Sequence, residues 1–198
     1  MAIQHGRPIF TFAASFQVQE EGLEHQFTAP DVTPPDEATP IEKLQSGDIE
    51  KLPVDLQRWL DRFGPFEFRA VRGGDPNDRV PRPPFKDLWF RLHGDYRDDP
   101  VMNRALLAYV SDFHLVGTAT LPHGISWTQG RLMMASLDHA MWFHHHAPIG
   151  EWLLYAIDSP SASGGRGFTR GSIFDRGGTL VASTAQEGVV RLWETARD

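Results

Sequence analysis

The sequence predicts an α+β protein in which a curled antiparallel sheet surrounds one central helix. Residues 100–118 form the best helix candidate, because a proline stands at the start, a glycine near the end, and good helix formers lie between. This helix has almost no polar face, and a helix that is apolar all round is one that other structure wraps. Four strand-like runs follow, separated by the turn signals APIG, SGG and DRGG, which is typical of a meander of hairpins.

The amino-terminal part of the chain predicts shorter elements. Residues 2–27 indicate a short strand, a His-Gly turn and a longer strand. Residues 28–53 hold five prolines among many acidic residues, so no strand should persist there, and we expect a linker with one helical turn. Residues 53–64 then indicate a short helix that Gly64 stops. The runs FEFRAV and DLWFRLHG, with a proline-rich loop between them, indicate two further strands.

Composition excludes several classes of protein. A chain of 198 residues suits one large domain or two small ones. The net charge of −7 argues against binding to nucleic acid and to an anionic membrane surface. The absence of cysteine excludes a disulfide framework and a thiol nucleophile. No apolar run approaches 18 residues and no charged-then-apolar leader is present, so we expect a cytoplasmic protein with no membrane insertion.

The segment MASLDHAMWFHHHAP, residues 134–148, contains four of the nine histidines. Its alternation predicts a strand whose core-facing set is Leu137, His139, Met141, Phe143 and His145. Adjacent side chains of a strand point to opposite faces, so the consecutive residues His144, His145 and His146 should not converge on one ion. We therefore expect strand-end histidines, with no metal and no cofactor. His139, on the apolar face, is interpreted as a buried, hydrogen-bonded histidine in preference to a general base.

Asp112 is the main anomaly of the helix. Aspartate is a poor residue inside a helix, and burying a carboxylate is costly unless it is hydrogen-bonded or paired. A buried Asp112 would suit proton transfer. The alternative is that it lies on a wet edge of the helix, beside Arg104 or Asn103, and the spacing leaves both placements open.

Four other polar residues are candidates with weaker signals. Ser136 lies on the strand face opposite the apolar set, and Gln186 lies late in the last strand. The run SASGGRGFTRG lacks the Lys-Ser/Thr of a phosphate-binding loop, and we expect it to form a hairpin turn or bulge. Arg166 and Arg170, which lie within it, could still contact a phosphate, since a guanidinium matches phosphate geometry. No serine stands in a G-x-S-x-G elbow, so a serine-hydrolase triad has little support.

Four segments together resemble the acyl-CoA thioesterase II family. They are RALLAYVSDFHLVGT, MASLDHAMWFH, EWLLYAIDSPSASGGRGFTRGSIF and LVASTAQEGVVR, and in this order they cover most of residues 100–191. Members are double-hotdog proteins, in which two α+β units, each a curled sheet around a helix, are joined by a long linker. The resemblance implies that residues 1–27 are the closing strands of a first hotdog unit whose earlier part is missing, that residues 28–53 are the linker, and that residues 54–198 are a complete hotdog domain.

The same resemblance implies an activity and its residues. Family members hydrolyse fatty acyl-CoA thioesters to free fatty acid and CoA, without a metal or a covalent intermediate. The family's catalytic Asp, Ser/Thr and Gln correspond to Asp112, Ser136 and Gln186, which would jointly hold one water. Independently of the resemblance, Arg166, Arg170 and His139 are the candidate substrate-binding residues. The implied partners are acyl-CoA and further copies of the chain, as a homo-oligomer.

Two alternatives remain open at the level of sequence. One is a non-catalytic hotdog remnant that binds acyl-CoA or only self-associates. Retention of all three catalytic residue types favours the hydrolase, whereas the missing first helix favours the remnant. The other is a dehydratase-type hotdog protein using His139 or His114 with an acid, for which the spacing gives no positive support.

Overall fold

The computed structural model describes residues 1–41, 64–73, 79–125 and 132–193. The chain begins with a hairpin of β1 (Ala2–Gln4) and β2 (Arg7–Phe10). His5 and Gly6, with φ of 50° and 74°, supply the left-handed backbone that a two-residue hairpin turn requires. The short strand and its His-Gly turn are thus confirmed, although the strand after the turn is shorter than predicted. The helix predicted over residues 53–64 falls almost entirely outside the described residues.

An eight-stranded antiparallel sheet forms the body of the described chain, in the order β3-β4-β5-β8-β9-β10-β6, with β7 also paired to β10. Its strands are β3 (Thr39–Pro40), β4 (Phe66–Arg72), β5 (Phe85–Leu92), β6 (Leu132–Ser136), β7 (Ala140–Phe143), β8 (Leu153–Ser163), β9 (Arg166–Phe174) and β10 (Leu180–Leu192). The two strands expected from FEFRAV and DLWFRLHG are confirmed as β4 and β5. The expectation that no strand persists in residues 28–53 is wrong for β3, a two-residue edge pairing, where a proline is tolerated.

The central helix α1 (Pro100–Ser111) is shorter than predicted. The Asp99 carboxylate caps its start by accepting hydrogen bonds from the backbone N–H groups of Val101 and Met102, both at 2.9 Å. The helix ends at Ser111, with Asp112 as its carboxyl-terminal cap, because His114, with φ of 68°, has a left-handed backbone that a right-handed helix cannot continue. A 3₁₀ helix (Val116–His123) follows. Within the described residues, no helix has the length and apolar character needed to span a bilayer.

The prediction that α1 is wrapped on all sides is wrong for the described chain. Only one face of the helix, with Leu107 and Val110 at its centre, packs into the core. Val101 and Met102 on the outer face are 75% and 51% exposed, whereas the half-exposed ring of Tyr109 packs against Phe66 of β4. The sheet packs against one side of the helix, so Val101 and Met102 have no cover among the described residues.

Two cores lie on opposite faces of the sheet, because alternate residues of each strand point to opposite sides. The inner core lies under α1 and takes Leu88 and Phe90 of β5. The outer core takes Trp89 of β5 and is covered by residues 29–38. The indole N–H of Trp89 donates to the backbone oxygen of Thr33 at 2.9 Å and ties this segment to the sheet.

The 3₁₀ helix lies directly on the inner face of the sheet, at two glycines. A Cβ atom on Gly167 would lie 2.5 Å from the Ala119 Cβ, and one on Gly188 would lie 2.7 Å from a methyl group of Val116. Such distances leave no room for a side chain on the strands. The approach brings the chain that follows α1 onto β9 and β10.

The predicted meander is confirmed only in part. Strands β8, β9 and β10 form consecutive hairpins, and Gly164 and Gly165 make the first turn with φ of 58° and 74°. The run before them splits at residues 137–139 into β6 and β7, and both pair with β10 instead of β8. The APIG segment therefore leads into a crossover, not a hairpin turn.

The strand predicted through residues 136–145 is interrupted at Leu137 and Asp138, which both form hydrogen bonds with the backbone of Glu187 in β10. The carboxylate of Asp138 accepts the backbone N–H of Glu187 at 2.7 Å, and the Leu137 N–H donates to the Glu187 oxygen at 2.9 Å. The break changes the facing of the side chains. Met141 packs against the inner core as expected. Leu137 and Phe143 are 55% and 43% exposed and His145 is also exposed, so the core-facing prediction is wrong for these three residues.

Candidate active site

Three elements meet at the carboxyl end of α1. Asp112 caps the carboxyl end of the helix, Ser136 is the last residue of β6, and Gln186 lies in the middle of β10. Ser136 pairs with Gly188 in the antiparallel register, two residues beyond Gln186. The sheet thereby places a hydroxyl and an amide from neighbouring strands beside the end of the helix.

The three side chains converge on one carboxylate oxygen. Gln186 Nε2 donates to Asp112 Oδ1 at 2.5 Å, and Ser136 Oγ donates to the same oxygen at 3.4 Å. Gln186 is 1% exposed, whereas Asp112 and Ser136 are both exposed. The alternative that Asp112 lies on a solvent-exposed edge of the helix is therefore correct, but its described hydrogen-bond partners are Gln186 and Ser136, not Arg104 or Asn103. One side of the carboxylate is anchored to a buried amide and the other is open to solvent.

The side-chain amide of Gln186 can accept a further hydrogen bond. Its Oε1 atom is buried and accepts no hydrogen bond within the described part of the chain. A buried acceptor without a partner is uncommon in native proteins, and a bound water is a frequent reason for one. The site thus offers an open acceptor next to the carboxylate that the same amide holds.

His139 joins the cluster through the helix. Its Nε2 atom lies 2.9 Å from the Oγ atom of Ser111, the residue before Asp112. The ring is hydrogen-bonded, as expected, but the residue is exposed and not buried in the core. Desolvation of the ring lowers the pKa of His139, and the Asp112 and Asp138 carboxylates partly oppose this change.

Tyr155 is a residue of this region that the sequence interpretation missed. Its hydroxyl donates to the backbone oxygen of Ser111 at 2.7 Å and lies 2.9 Å from Thr184 Oγ1. Complete burial raises the pKa of Tyr155. The strand pattern LLYAI marks Tyr155 as a core residue, and the only signal of more is that a buried tyrosine hydroxyl needs a hydrogen-bond partner.

The structure does not bring Arg166 and Arg170 to this cluster. Both are exposed, on the outer face of β9, whereas their neighbours Gly167 and Thr169 are buried on the inner face. Arg170 makes a two-pronged ion pair with Asp158 at 3.0 and 2.9 Å. Arg166 Nη1 lies 3.6 Å from the carboxylate of Glu187. Their contact with a phosphate remains a prediction, and any such contact would lie on the side of the sheet away from Asp112.

The consecutive histidines follow the end of β7, as expected, and have three separate partners. His144 Nε2 lies 2.9 Å from Ser183 Oγ, His145 Nδ1 lies 2.8 Å from the Leu180 oxygen, and His146 Nε2 lies 3.4 Å from Asp98. Across residues 1–41, 64–73, 79–125 and 132–193, no three carboxylates or imidazoles are grouped to hold a metal ion.

Comparison with known proteins identifies relatives of the chain. A family model described as acyl-CoA thioesterase matches residues 82–189, which include every residue of the cluster. "Acyl-CoA thioesterase 2" of Haemophilus influenzae is 38% identical over 193 residues, spanning 98% of this chain and 68% of the relative. Human "Acyl-coenzyme A thioesterase 8" is 37% identical over 199 residues, spanning 96% of this chain and 62% of the relative. The chain thus spans roughly two thirds of the length of these proteins.

Solved structures agree with the fold. An acyl-CoA thioesterase II from Mycobacterium marinum is 36% identical and superposes with a TM-score of 0.67, over 90% of this chain and 61% of that one. A hot-dog-fold protein of unknown function from Alicyclobacillus acidocaldarius superposes with a TM-score of 0.62 at 18% identity, over 88% and 59%. The helix packed on a large antiparallel sheet is a hotdog fold, and the predicted fold class is confirmed.

Proposed function

Because the chain belongs to the acyl-CoA thioesterase family, we propose that it hydrolyses fatty acyl-CoA thioesters to the free fatty acid and CoA. The observation that carries the proposal is the convergence of Gln186 and Ser136 on the Asp112 carboxylate. The names of the relatives support the reaction class. The resemblance assigns the catalytic roles to these same three residues.

The proposed reaction uses one water. Among the described contacts, both hydrogen bonds to the Asp112 carboxylate go to Oδ1, which leaves Oδ2 to accept a proton from the water. The open Oε1 acceptor of Gln186 is available to the second O–H of the same water. Ser136 completes the orientation. A positioned water beside a base needs no covalent intermediate, and such positioning lowers the entropic part of the barrier.

The bond changes then balance. The water oxygen bonds to the thioester carbonyl carbon as Asp112 takes its proton, and the tetrahedral intermediate collapses with cleavage of the carbon–sulfur bond. The sulfur leaves as the CoA thiolate, a good leaving group, and the proton held by Asp112 returns to solvent or to the thiolate. A strong general acid is therefore unnecessary.

The exposed apolar face of α1 favours a second proposal, which concerns assembly. Val101 and Met102 present apolar surface of a kind that commonly marks an interaction site. We propose that the chain forms a homo-oligomer through this face.

We also propose a division of the chain into closing strands at 1–27, a linker at 28–53 and a hotdog domain at 54–198. A non-catalytic acyl-CoA-binding protein remains the alternative to the hydrolase.

Thiol release from decanoyl-CoA and palmitoyl-CoA tests the activity directly. The chain contains no cysteine, so a thiol reagent will report CoA alone. Loss of a general base typically costs about 10²- to 10⁴-fold in rate, and Asp112→Asn should fall by that amount. Asp36→Asn removes an equal charge from an exposed carboxylate paired with Arg176 and should keep full turnover.

Each result has a distinct meaning. Equal turnover by wild type and Asp112→Asn, with both folded, would contradict the role of Asp112 as base. Wild-type protein that binds acyl-CoA in calorimetry but releases no thiol would support the binding alternative. Chain-length preference follows from the ratio of rates on the two substrates.

A further inference from the structure

The peptide that carries Asp112 is held from outside the helix. The last four carbonyl groups of a helix have no partner within it, and the Ser111 oxygen is one of them. Tyr155 supplies the missing donor, at 2.7 Å from hydroxyl to carbonyl oxygen. This carbonyl belongs to the peptide bond between Ser111 and Asp112, so any movement of it moves the Asp112 backbone.

The same hydroxyl is tied to the strand that carries Gln186. Tyr155 belongs to β8, and its oxygen lies 2.9 Å from Thr184 Oγ1 on β10. Thr184 stands two residues before Gln186, so the two side chains share the inner face of the strand. One hydroxyl thus contacts both the peptide that bears the carboxylate and the strand that bears the amide.

The contact crosses β9, where a glycine provides the space for it. Strand β9 lies between β8 and β10, and Gly171 occupies the crossing point. A Cβ atom on Gly171 would lie 2.3 Å from Tyr155 Cε2 and 2.6 Å from Thr184 Oγ1. The ring therefore crosses β9 only because residue 171 has no side chain. With 1% of its surface exposed, Tyr155 has no room to place its hydroxyl elsewhere.

We infer that Tyr155 is a positioning residue for the proposed hydrolysis, which sets the distance between the Asp112 carboxylate and the Gln186 amide. The inference rests on the proposed function. Tyr155 does not contact the reacting atoms and acts through Ser111. A displacement of about 1 Å at a catalytic group can cost about 10²-fold in rate, so removal of this hydroxyl should affect turnover.

The test compares two tyrosines that bind the two ends of α1. Tyr155→Phe removes one oxygen atom and leaves the ring in place. Tyr96→Phe removes the same atom from a hydroxyl that lies 3.0 Å from Asn103 Oδ1, near the start of the helix. Tyr155→Phe should lower kcat about 10- to 100-fold with KM changed by less than about twofold. Tyr96→Phe should change neither, even if both variants lose similar amounts of thermal stability.

The same substitution made in the Asp112→Asn variant distinguishes a positioning role from a general loss of structure. Because Tyr155 acts through Asp112, Tyr155→Phe should change the residual rate of Asp112→Asn by less than about twofold. An equal fall in both backgrounds, or an equal fall for Tyr96→Phe, would overturn the inference.

An observable that needs no turnover distinguishes this inference from the proposed function. The ¹³C resonance of the Asp112 carboxyl group, assigned by its loss in Asp112→Asn, should shift at fixed pH in Tyr155→Phe and stay unchanged in Tyr96→Phe. Absence of thiol release by the wild type would refute the proposed function, and the resonance would still decide the inference. A resonance unmoved in both variants would refute the positioning role.

Discussion

Replacing Lys86 with methionine should stabilise the protein at neutral pH. Lys86 lies on the inner face of β5, in register with Leu88 and Phe90, and is only 8% exposed. A charged ammonium placed there loses its hydration, and this burial lowers the pKa of Lys86 from 10.5 to about 8. Methionine has a similar length and no charge, so it should fill the same space without that cost.

The size of the effect follows from the difference between the two pKa values. The interval from 10.5 to about 8 corresponds to about 3 kcal/mol. Below pH 8 both the folded and the unfolded chain carry the proton, and the full penalty is present. Between pH 8 and 10.5 the unfolded chain keeps the proton while the folded chain has lost it, so stability rises with pH. Above 10.5 the penalty has disappeared.

Urea unfolding at several pH values between 7 and 10.5 measures this dependence. We expect Lys86→Met to exceed the wild type by about 3 kcal/mol at pH 7 and the difference to close as pH approaches 10.5. Arg104→Met removes a cation from an exposed position on α1 and serves as the control, with no such pH-dependent difference. A Lys86→Met variant that is less stable than the wild type by a constant amount at every pH would refute the reasoning, since it would mean that the folded protein stabilises the charge.

Two further predictions concern packing and capping. Gly171→Ala should destabilise the fold by about 2 kcal/mol or more and lower the thermal midpoint, because its Cβ would overlap the Tyr155 ring. Gly150→Ala is the control and should be tolerated, because its Cβ would lie 3.9 Å from its nearest neighbour; equal thermal midpoints for the two variants would contradict the close approach at Gly171. Asp99→Ala should lower the free energy of unfolding by about 1 kcal/mol, because it removes the helix cap. Urea unfolding measures this loss, with Asp95→Ala as the control. An unchanged free energy in Asp99→Ala would mean that the cap is redundant.

The hairpins of β8 to β10 were predictable because their signals are local. Glycines at 164 and 165 adopt the left-handed backbone of the turn, and the alternation of buried and exposed residues in β9 follows the strand period. Asp112 was also visible as an anomaly, since an aspartate amid apolar helix residues requires a reason. Such features depend on residues close together in the chain.

The break at residues 137–139 and the role of Tyr155 depend on distant residues. Asp138 interrupts the strand because its carboxylate meets the backbone of Glu187, 49 residues away. Tyr155 gains its partners from α1 and β10, and neither is indicated by the apolar alternation around it. Likewise, β6 joins β10 instead of β8, a choice among strand edges that periodicity does not specify.

The contact between the 3₁₀ helix and the two glycines of β9 and β10 has a consequence for sequence divergence. Because Gly167 faces Ala119 and Gly188 faces Val116 with no spare volume, the residues of each pair cannot vary independently. An alanine at 167 becomes acceptable only after residue 119 has become smaller, and the order of the two substitutions matters. Related chains should therefore show correlated changes at these pairs, and transplanting one member of a pair between homologues should fail where transplanting both succeeds.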